Sequence, residues 1–205
     1  AKGAKASDIF KSQASSDSIF VVFDVPSVLA DVLNVDSDKV PHVTLIKIDA
    51  HQTSEIDIEN IAKTIANSSS VKDQRQFTLR LTGDIISLAQ LCVCAEVKLT
   101  PQLKRFRDDL VAELLSKGFV VDKTYADFRP HITLSCSDKN DINESRLPVE
   151  AIQTWVVSGL WVQRDDEKSY VSFMTQKSLW TEYADKIPAR YRQEFANFVR
   201  NRLNV

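Results

Sequence analysis

Residues 40–48, "VPHVTLIKI", and residues 129–136, "RPHITLSC", contain nearly the same pentapeptide, Pro-His-Val/Ile-Thr-Leu. The chain has only three histidines, and this repeat uses two of them. The β-branched residues around each histidine favour a β-strand. One short pattern at two distant points therefore predicts two related halves, each with one such strand.

Side-chain alternation gives each predicted strand two different faces. The polar face carries His42 and Thr44 in the first copy and His131 and Thr133 in the second. The other face, with Val43 and Ile132, is apolar and suits a protein core. Simple alternation also places Ile46 on the same face as His42. We expect the polar faces to line a cleft.

Two histidines that share one cleft can divide acid–base chemistry between them. Histidine titrates near neutral pH, so one ring can be neutral and accept a proton while the other is protonated and donates one. The hydroxyls of Thr44 and Thr133 can donate hydrogen bonds to phosphate oxygens, on which charge accumulates. These residues suit phosphodiester cleavage without a metal.

Two other interpretations of the histidines compete with catalysis. A histidine beside a threonine on a strand is commonly structural, and His51 could complete a zinc site with the two repeated histidines. Packing alone has no reason to select the same pattern twice, and His51 follows the first strand in a polar segment. We therefore predict neither a metal site nor a cofactor.

The segments His42-Val43-Thr44-Leu45 and His131-Ile132-Thr133-Leu134 resemble the paired H-x-[ST]-x motifs of the two-histidine (2H) phosphoesterase superfamily. The two motifs are 89 positions apart (131 minus 42), which suits one motif in each half. The resemblance implies an α+β fold that is bilobal and pseudo-symmetric. In such a fold, antiparallel sheets line a central cleft and helices lie on the outside.

The same resemblance implies metal-independent action on phosphodiesters that involve a ribose 2′ oxygen. By analogy with cyclic phosphodiesterases of the superfamily, His131 is the base that activates water and His42 is the acid. The leading hypothesis is hydrolysis of 2′,3′-cyclic phosphates on RNA ends or nucleotides. The alternatives are cleavage of 2′-5′ oligoadenylate or cyclic oligonucleotide signals, and a non-catalytic RNA-binding or assembly module.

Further residues are candidates for substrate contacts. They are Tyr125, Phe128 and Arg129, just before the second motif, and Trp161 and Tyr170, on a predicted hairpin. Aromatic rings can stack on a nucleobase, and a guanidinium can contact phosphate. Core packing or surface exposure is the more common role for each of these residue types in such positions.

Composition limits the partners of the chain. A net charge of -2 predicts no broad basic surface for a long nucleic-acid duplex, whereas a nucleotide or an RNA end needs only a local site. No apolar run reaches membrane length, so no membrane partner is predicted. The three cysteines are odd in number and lack C-x-x-C spacing, which predicts reduced thiols and a cytoplasmic protein.

Three segments are predicted along the chain. Residues 1–17 are small and polar and form a flexible lead, and residues 18–177 form the phosphoesterase domain. Residues 178–205 form an extension, in which Pro188 to Leu203 is an amphipathic helix that is available to dock a partner or the same domain.

Local signals define several elements inside the domain. Ser54 and Thr100 are the predicted N-caps of two helices. The segments 154–163 and 169–174 are predicted as the two strands of a β-hairpin.

Overall fold

The computed structural model describes residues 18–37, 39–50, 57–74, 76–88, 92–122, 127–136, 154–173 and 186–202, with backbone alone at 198–202. The strands are β1 (Ser18–Asp24), β2 (His42–Asp49), β3 (Phe77–Leu88), β4 (Cys92–Val97), β5 (Val120–Val121), β6 (His131–Cys136), β7 (Thr154–Val157), β8 (Gly159–Arg164) and β9 (Glu167–Ser172). The helices are α1 (Ser27–Leu33), α2 (Ile58–Ala66), α3 (Ser69–Lys72), α4 (Pro101–Ser116) and α5 (Arg192–Arg202). The predicted lead 1–17, His51, Ser54, Tyr125 and the boundary after residue 177 lie outside the described residues.

The described strands form one antiparallel sheet in the order β7-β3-β4-β6-β2-β1-β8-β9, with β5 paired to β2. The two strands with the repeated pentapeptide, β2 and β6, are neighbours inside this order. The predicted α+β fold with antiparallel strands is confirmed. Its two halves are joined into a continuous sheet by the pairing of β2 with β6.

The segment 154–163 is divided at Ser158 rather than forming one strand. Its first part, β7, pairs with β3, and its second part, β8, pairs with β1 and β9. The Ser158 carbonyl between them accepts a hydrogen bond from the Phe173 N–H at 2.9 Å. The prediction of one hairpin strand is wrong here because strand propensity continues across Ser158 although the pairing partner changes.

Helix α4 begins as its sequence predicts. Thr100 is the N-cap, its Oγ1 accepts the Leu103 N–H at 3.1 Å, and Pro101 occupies the first turn. Gly118, which follows the helix, has a φ of 85°, a left-handed conformation that a residue without Cβ adopts at little cost.

Helix α2 begins later than predicted. Its N-cap is Asp57, whose carboxylate accepts the Glu59 N–H at 3.0 Å, and Ile58 is the first helical residue. The predicted start at Ser54 is wrong because the aspartate three positions later supplies the cap.

The apolar core contains a cluster of aromatic rings. Phe23, Phe77, Phe106 and Phe173 have ring centroids between 4.8 and 6.4 Å apart. Phe106 is part of the apolar stripe of α4, and the predicted members Leu103, Leu110 and Leu114 are also buried. The helix is therefore attached to the sheet through side chains from β1, from β3 and from the segment after β9.

The expectation of reduced thiols is wrong for two of the three cysteines. Cys92 on β4 lies directly opposite Cys136 on β6, and the two are joined by a disulfide. Their separation of 44 positions carries no local signal, so strand register alone brings them together. Cys94 is free and buried.

In the described part of the C-terminal segment, a 3₁₀ turn, Ala189–Tyr191, is followed by α5. The Arg190 guanidinium lies 4.7 Å from the centroid of the Tyr191 ring, and Phe195 is half-buried. Since the side chains beyond residue 197 are outside the description, docking of the helix stays a prediction. Within the described ranges, no helix is both long enough and apolar enough to cross a bilayer.

The aromatic cluster makes α4 sensitive to truncation. Phe106→Ala should lower the free energy of unfolding by about 3–5 kcal/mol, because the change removes a buried ring and leaves a cavity. Urea denaturation followed by circular dichroism measures the effect. Leu115→Ala on the same helix is the control, because Leu115 is 44% exposed and should change stability by about 0.5 kcal/mol or less.

Candidate active site

The two repeated motifs meet at one pair of residues. Val43 of β2 lies opposite Ile132 of β6 in antiparallel register, and both side chains are fully buried. Extending this register by one residue in each direction sets His42 beside Thr133 and Thr44 beside His131. Directly opposite side chains share a face, so these four polar residues occupy one side of the sheet, which we call the histidine face.

A β-bulge follows the threonine of each motif. The register of β1 with β2 skips Leu45, and the register of β4 with β6 skips Leu134. A bulge shifts the alternation of side chains by one position. Ile46 therefore pairs with Val21 on the core side and is buried, whereas simple alternation wrongly predicted it on the histidine face.

One arginine links the first motif to the segment that precedes the second. Arg107 on α4 donates its Nε–H to the Leu45 carbonyl at 3.1 Å. The same guanidinium lies 4.7 Å from the ring centroid of Phe128, three residues before His131. The Arg107 side chain is 15% exposed, so this bridge is largely shielded from water. The bulge in β2 and the segment that enters β6 are thus held by a common group.

Both histidines are oriented by the backbone. His42 Nδ1 is 2.8 Å from the Val40 carbonyl, and His131 Nδ1 is 2.7 Å from the Arg129 carbonyl. Because a carbonyl oxygen can only accept, each Nδ1 carries a hydrogen. In the neutral ring the lone pair is then on Nε2, which is the nitrogen available for proton transfer.

His131 is in an environment that favours its neutral form. Burial lowers the pKa of His131, and the charges of His42 and Arg129 lower it further, while the hydrogen bond to the Arg129 carbonyl acts in the opposite direction. The effect of His42 places the two rings within electrostatic reach of each other. Since the ordinary pKa of histidine is about 6.5, His131 is mostly neutral at pH 7.

Among the residues that the structure describes, the hydroxyl of Thr133 has one hydrogen-bond donor. The Cys94 thiol donates to Thr133 Oγ1 across 3.9 Å, and Cys94 lies directly opposite Thr133 on β4. Burial raises the pKa of Cys94, more than the hydrogen bond to Thr133 lowers it, so the thiol keeps its proton near neutral pH. The Thr133 oxygen accepts this bond, and its own hydrogen is left to donate to another group.

A carboxylate that the sequence did not reveal lies beside His131. Glu96 of β4 is directly opposite His131 on the histidine face. Its Oε1 accepts from Arg129 Nη2 at 3.3 Å, and its Oε2 accepts from Thr82 Oγ1 at 3.2 Å. Both oxygens therefore have donors, and Glu96 partly neutralises the arginine next to the second motif.

A second carboxylate lies in the corresponding place beside His42. Asp24 of β1 is directly opposite His42. The Trp161 indole N–H donates to Asp24 Oδ2, and the Trp155 indole N–H donates to the Asp24 carbonyl at 3.1 Å. Sequence reasoning missed both acids because only strand register places them next to the histidines.

The predicted substrate contacts are not all on the histidine face. Trp161 pairs with Val22, which pairs with Thr44, and Tyr170 pairs with Trp161, so both aromatic residues are on the histidine face. Arg129 is half-exposed beside His131. Phe128 instead packs partly buried against the core and beneath Arg107.

The described residues hold no group of three or more side chains suited to a metal ion. The third histidine, His51, lies outside them, as does the predicted contact Tyr125. Two imidazoles with available Nε2 atoms and two hydroxyls share one face.

A family model described as the 2′-5′ RNA ligase superfamily matches residues 35–168, a range that contains both motifs. No curated protein matches the chain significantly. Among solved structures, E. coli LigT complexed with 3′-AMP is similar at 17% identity and a TM-score of 0.54, covering 76% of this chain and 94% of that one. The protein TT0787 of Thermus thermophilus is similar at 14% identity and a TM-score of 0.50, covering 77% and 95%. These structures establish the likeness of the fold.

The electrostatic contact between the histidines can be tested by titration. In the wild-type protein, the ring protons of His131 should titrate in NMR spectra below the ordinary pKa of histidine. His42→Ala should raise the pKa of His131, because a neighbouring like charge is removed. Lys168→Gln, an exposed charge change on β9, is the control and should have no effect. An unchanged pKa in His42→Ala would show that the two rings do not face each other.

The bridge made by Arg107 should be visible in stability. Arg107→Met leaves the Leu45 carbonyl without its donor and should lower the free energy of unfolding by about 1–3 kcal/mol. Arg105→Met is the matched control, since Arg105 is exposed on the same helix and should change stability by about 0.5 kcal/mol or less. Equal effects of the two substitutions in urea denaturation would contradict the bridging role.

Proposed function

The chain belongs to the 2′-5′ RNA ligase superfamily, the 2H phosphoesterases, and from this premise we propose a metal-independent phosphodiesterase. Its proposed substrates are 2′,3′-cyclic phosphates of RNA ends or nucleotides, which it hydrolyses to 2′-phosphates. The observation that carries the proposal is the pair of oriented imidazoles, each with Nδ1 bonded to a backbone carbonyl and Nε2 available. Similarity to a LigT structure that contains 3′-AMP is in keeping with a nucleotide substrate.

His131 is the proposed general base. Its lowered pKa provides a neutral Nε2 at pH 7, which accepts a proton from water as the water oxygen attacks phosphorus. A new P–O bond forms to the water oxygen, and the bond between phosphorus and the ribose 3′ oxygen breaks. His42, protonated on Nε2, donates its proton to that 3′ oxygen, so the product carries a 3′ hydroxyl and a 2′-phosphate.

Thr44 and Thr133 are the proposed phosphate-binding residues. Each lies beside the histidine of the opposite motif, so their hydroxyls flank the same space as the two rings. Donation to the non-bridging oxygens stabilises the charge that grows there as water attacks. Because the rings supply both proton transfers and the hydroxyls bind phosphate, no step requires a metal or a cofactor.

A second candidate uses the same chemistry on a 2′-5′ linkage, as in 2′-5′ oligoadenylate or a cyclic oligonucleotide. Trp161 and Tyr170 lie to one side of the histidines and Arg129 to the other. A substrate with two nucleosides could use both sides, whereas a single cyclic nucleotide needs one. A non-catalytic RNA-binding module is the outcome if no substrate is cleaved.

A substrate panel separates these possibilities. The protein should be incubated with a chelator and with 2′,3′-cyclic AMP, 2′-5′ oligoadenylate or 3′-5′ RNA, and the products identified by chromatography. We expect 2′-AMP from the cyclic nucleotide. Cleavage of the oligoadenylate alone would support the second candidate instead.

The roles of the histidines are tested in the same assay. His42→Ala and His131→Ala should each lower turnover by about a hundredfold or more, which is the range supplied by acid–base catalysis. Turnover should fall as the pH drops through the lowered pKa of His131, because the base becomes protonated. His51→Ala is the matched control and should retain activity. Near-normal turnover in either His42→Ala or His131→Ala would contradict the proposed mechanism.

A further inference from the structure

We propose that the groove beside His42 is a nucleobase subsite, in which the Asp24 carboxylate accepts a hydrogen bond from an exocyclic amino group and the Tyr170 ring stacks on the base. The inference deepens the proposed function and rests on it, because it assumes that the phosphate lies between the histidines. It predicts a preference for bases that carry an amino group over uracil.

The position of Asp24 connects the groove to the reacting centre. Asp24 is the direct cross-strand neighbour of His42, and such pairs have Cβ atoms about 4.5–5.5 Å apart. Tyr170 belongs to the same face through the chain of partners Trp161, Val22 and Thr44. A nucleotide with its phosphate at His42 therefore has its sugar and base within reach of this side.

A groove of suitable size is present at this place. Its volume is about 390 Å³, within the range of small-ligand sites, and it is bounded by Asp24 and Pro26, by β7, and by Gly159 and Tyr170. The walls combine apolar side chains with the carboxylate and the tyrosine hydroxyl. Such a mixture suits a flat heterocycle that has polar edges.

Asp24 is held in place but keeps acceptor capacity. The Trp161 indole fixes Oδ2, and the Trp155 indole fixes the Asp24 backbone carbonyl. Among the described residues, no donor bonds to Oδ1 and no cation pairs with the carboxylate. A carboxylate has about four lone-pair positions, so an oriented acceptor is left for a ligand.

Neighbouring residues hold the Tyr170 ring in a position that suits stacking. A Cβ at Gly159 would lie only 2.3 Å from the Tyr170 hydroxyl oxygen, so the ring rests on a strand position where a side chain is excluded. Trp161 supports the ring with a centroid separation of 4.9 Å, and Tyr170 is still 48% exposed. Burial raises the pKa of Tyr170, and the Asp24 charge raises it further, so its hydroxyl stays neutral.

The charges on the two sides of the histidines favour one orientation of the substrate over the other. Asp24 repels phosphate, whereas Arg129 on the other side attracts it. An uncharged base is therefore favoured beside Asp24. A carboxylate accepts well from the amino group of cytosine, but uracil presents a carbonyl oxygen at the same ring position, which leaves two acceptors facing each other.

Cytidine and uridine 2′,3′-cyclic phosphates are the matched probes, because they differ at this ring position. The kcat/KM of the wild-type protein should favour the cytidine substrate by about fivefold to 150-fold, the range of a good amino-group contact. Asp24→Asn should bring the ratio close to one or reverse it, because the asparagine amide can donate to the uracil oxygen. Asp166→Asn in the β8–β9 turn is the control and should keep the wild-type ratio.

Tyr170→Ala is the second variant and tests stacking separately. It should raise KM for both substrates by a similar factor and leave their ratio unchanged. The use of ratios distinguishes base recognition from general damage near His42, which would lower both rates equally. A wild-type ratio near one, or a ratio that Asp24→Asn does not alter, would overturn the subsite.

Failure of the subsite and failure of the proposed function give different results. If both cyclic nucleotides are cleaved without preference, the result supports the proposed reaction and contradicts the nucleobase subsite. If neither is cleaved, the subsite is tested by binding instead. Calorimetry then measures the affinity of 2′-CMP and of 2′-UMP for the wild-type protein and for Asp24→Asn. Tighter binding of 2′-CMP that Asp24→Asn abolishes would support the subsite, and equal binding would overturn it.

Discussion

The antiparallel pairing of Val43 with Ile132 is the constraint on which the rest of the site depends. Both side chains are fully buried, so the apolar faces of β2 and β6 are anchored in the core. Because alternate residues point the other way, anchoring these two residues forces the histidines and threonines onto the opposite face. Burial of the apolar face thus positions the histidines and threonines on the other face.

Each half of the chain repeats the same construction with different neighbours. A motif strand, a bulged leucine and a cross-strand acid occur in both halves. Glu96 has donors on both of its oxygens, including a guanidinium, whereas Asp24 is oriented by indole groups and keeps its charge unpaired among the described residues. The duplicated framework therefore supports a site that is electrically asymmetric.

The unequal environment also separates the histidines, which the motifs alone present as equivalent. Burial and the Arg129 charge favour the neutral form of His131. The hydrogen bonds to backbone carbonyls fix the same tautomer in both rings, so the preference of His131 for its neutral form comes from its surroundings rather than from its orientation. The proton-transfer direction that we propose therefore depends on packing around a repeated pattern.

Local sequence was sufficient to establish the two motif strands, their polar and apolar faces, and the cap and buried stripe of α4, because these features depend on residues a few positions apart. It could not establish which strands pair, the change of partner at Ser158, or the joining of Cys92 to Cys136. The acids beside the histidines were hidden for the same reason. Cross-strand neighbours are chosen by the register of the whole sheet, and residues far apart in the chain carry no local mark of that register.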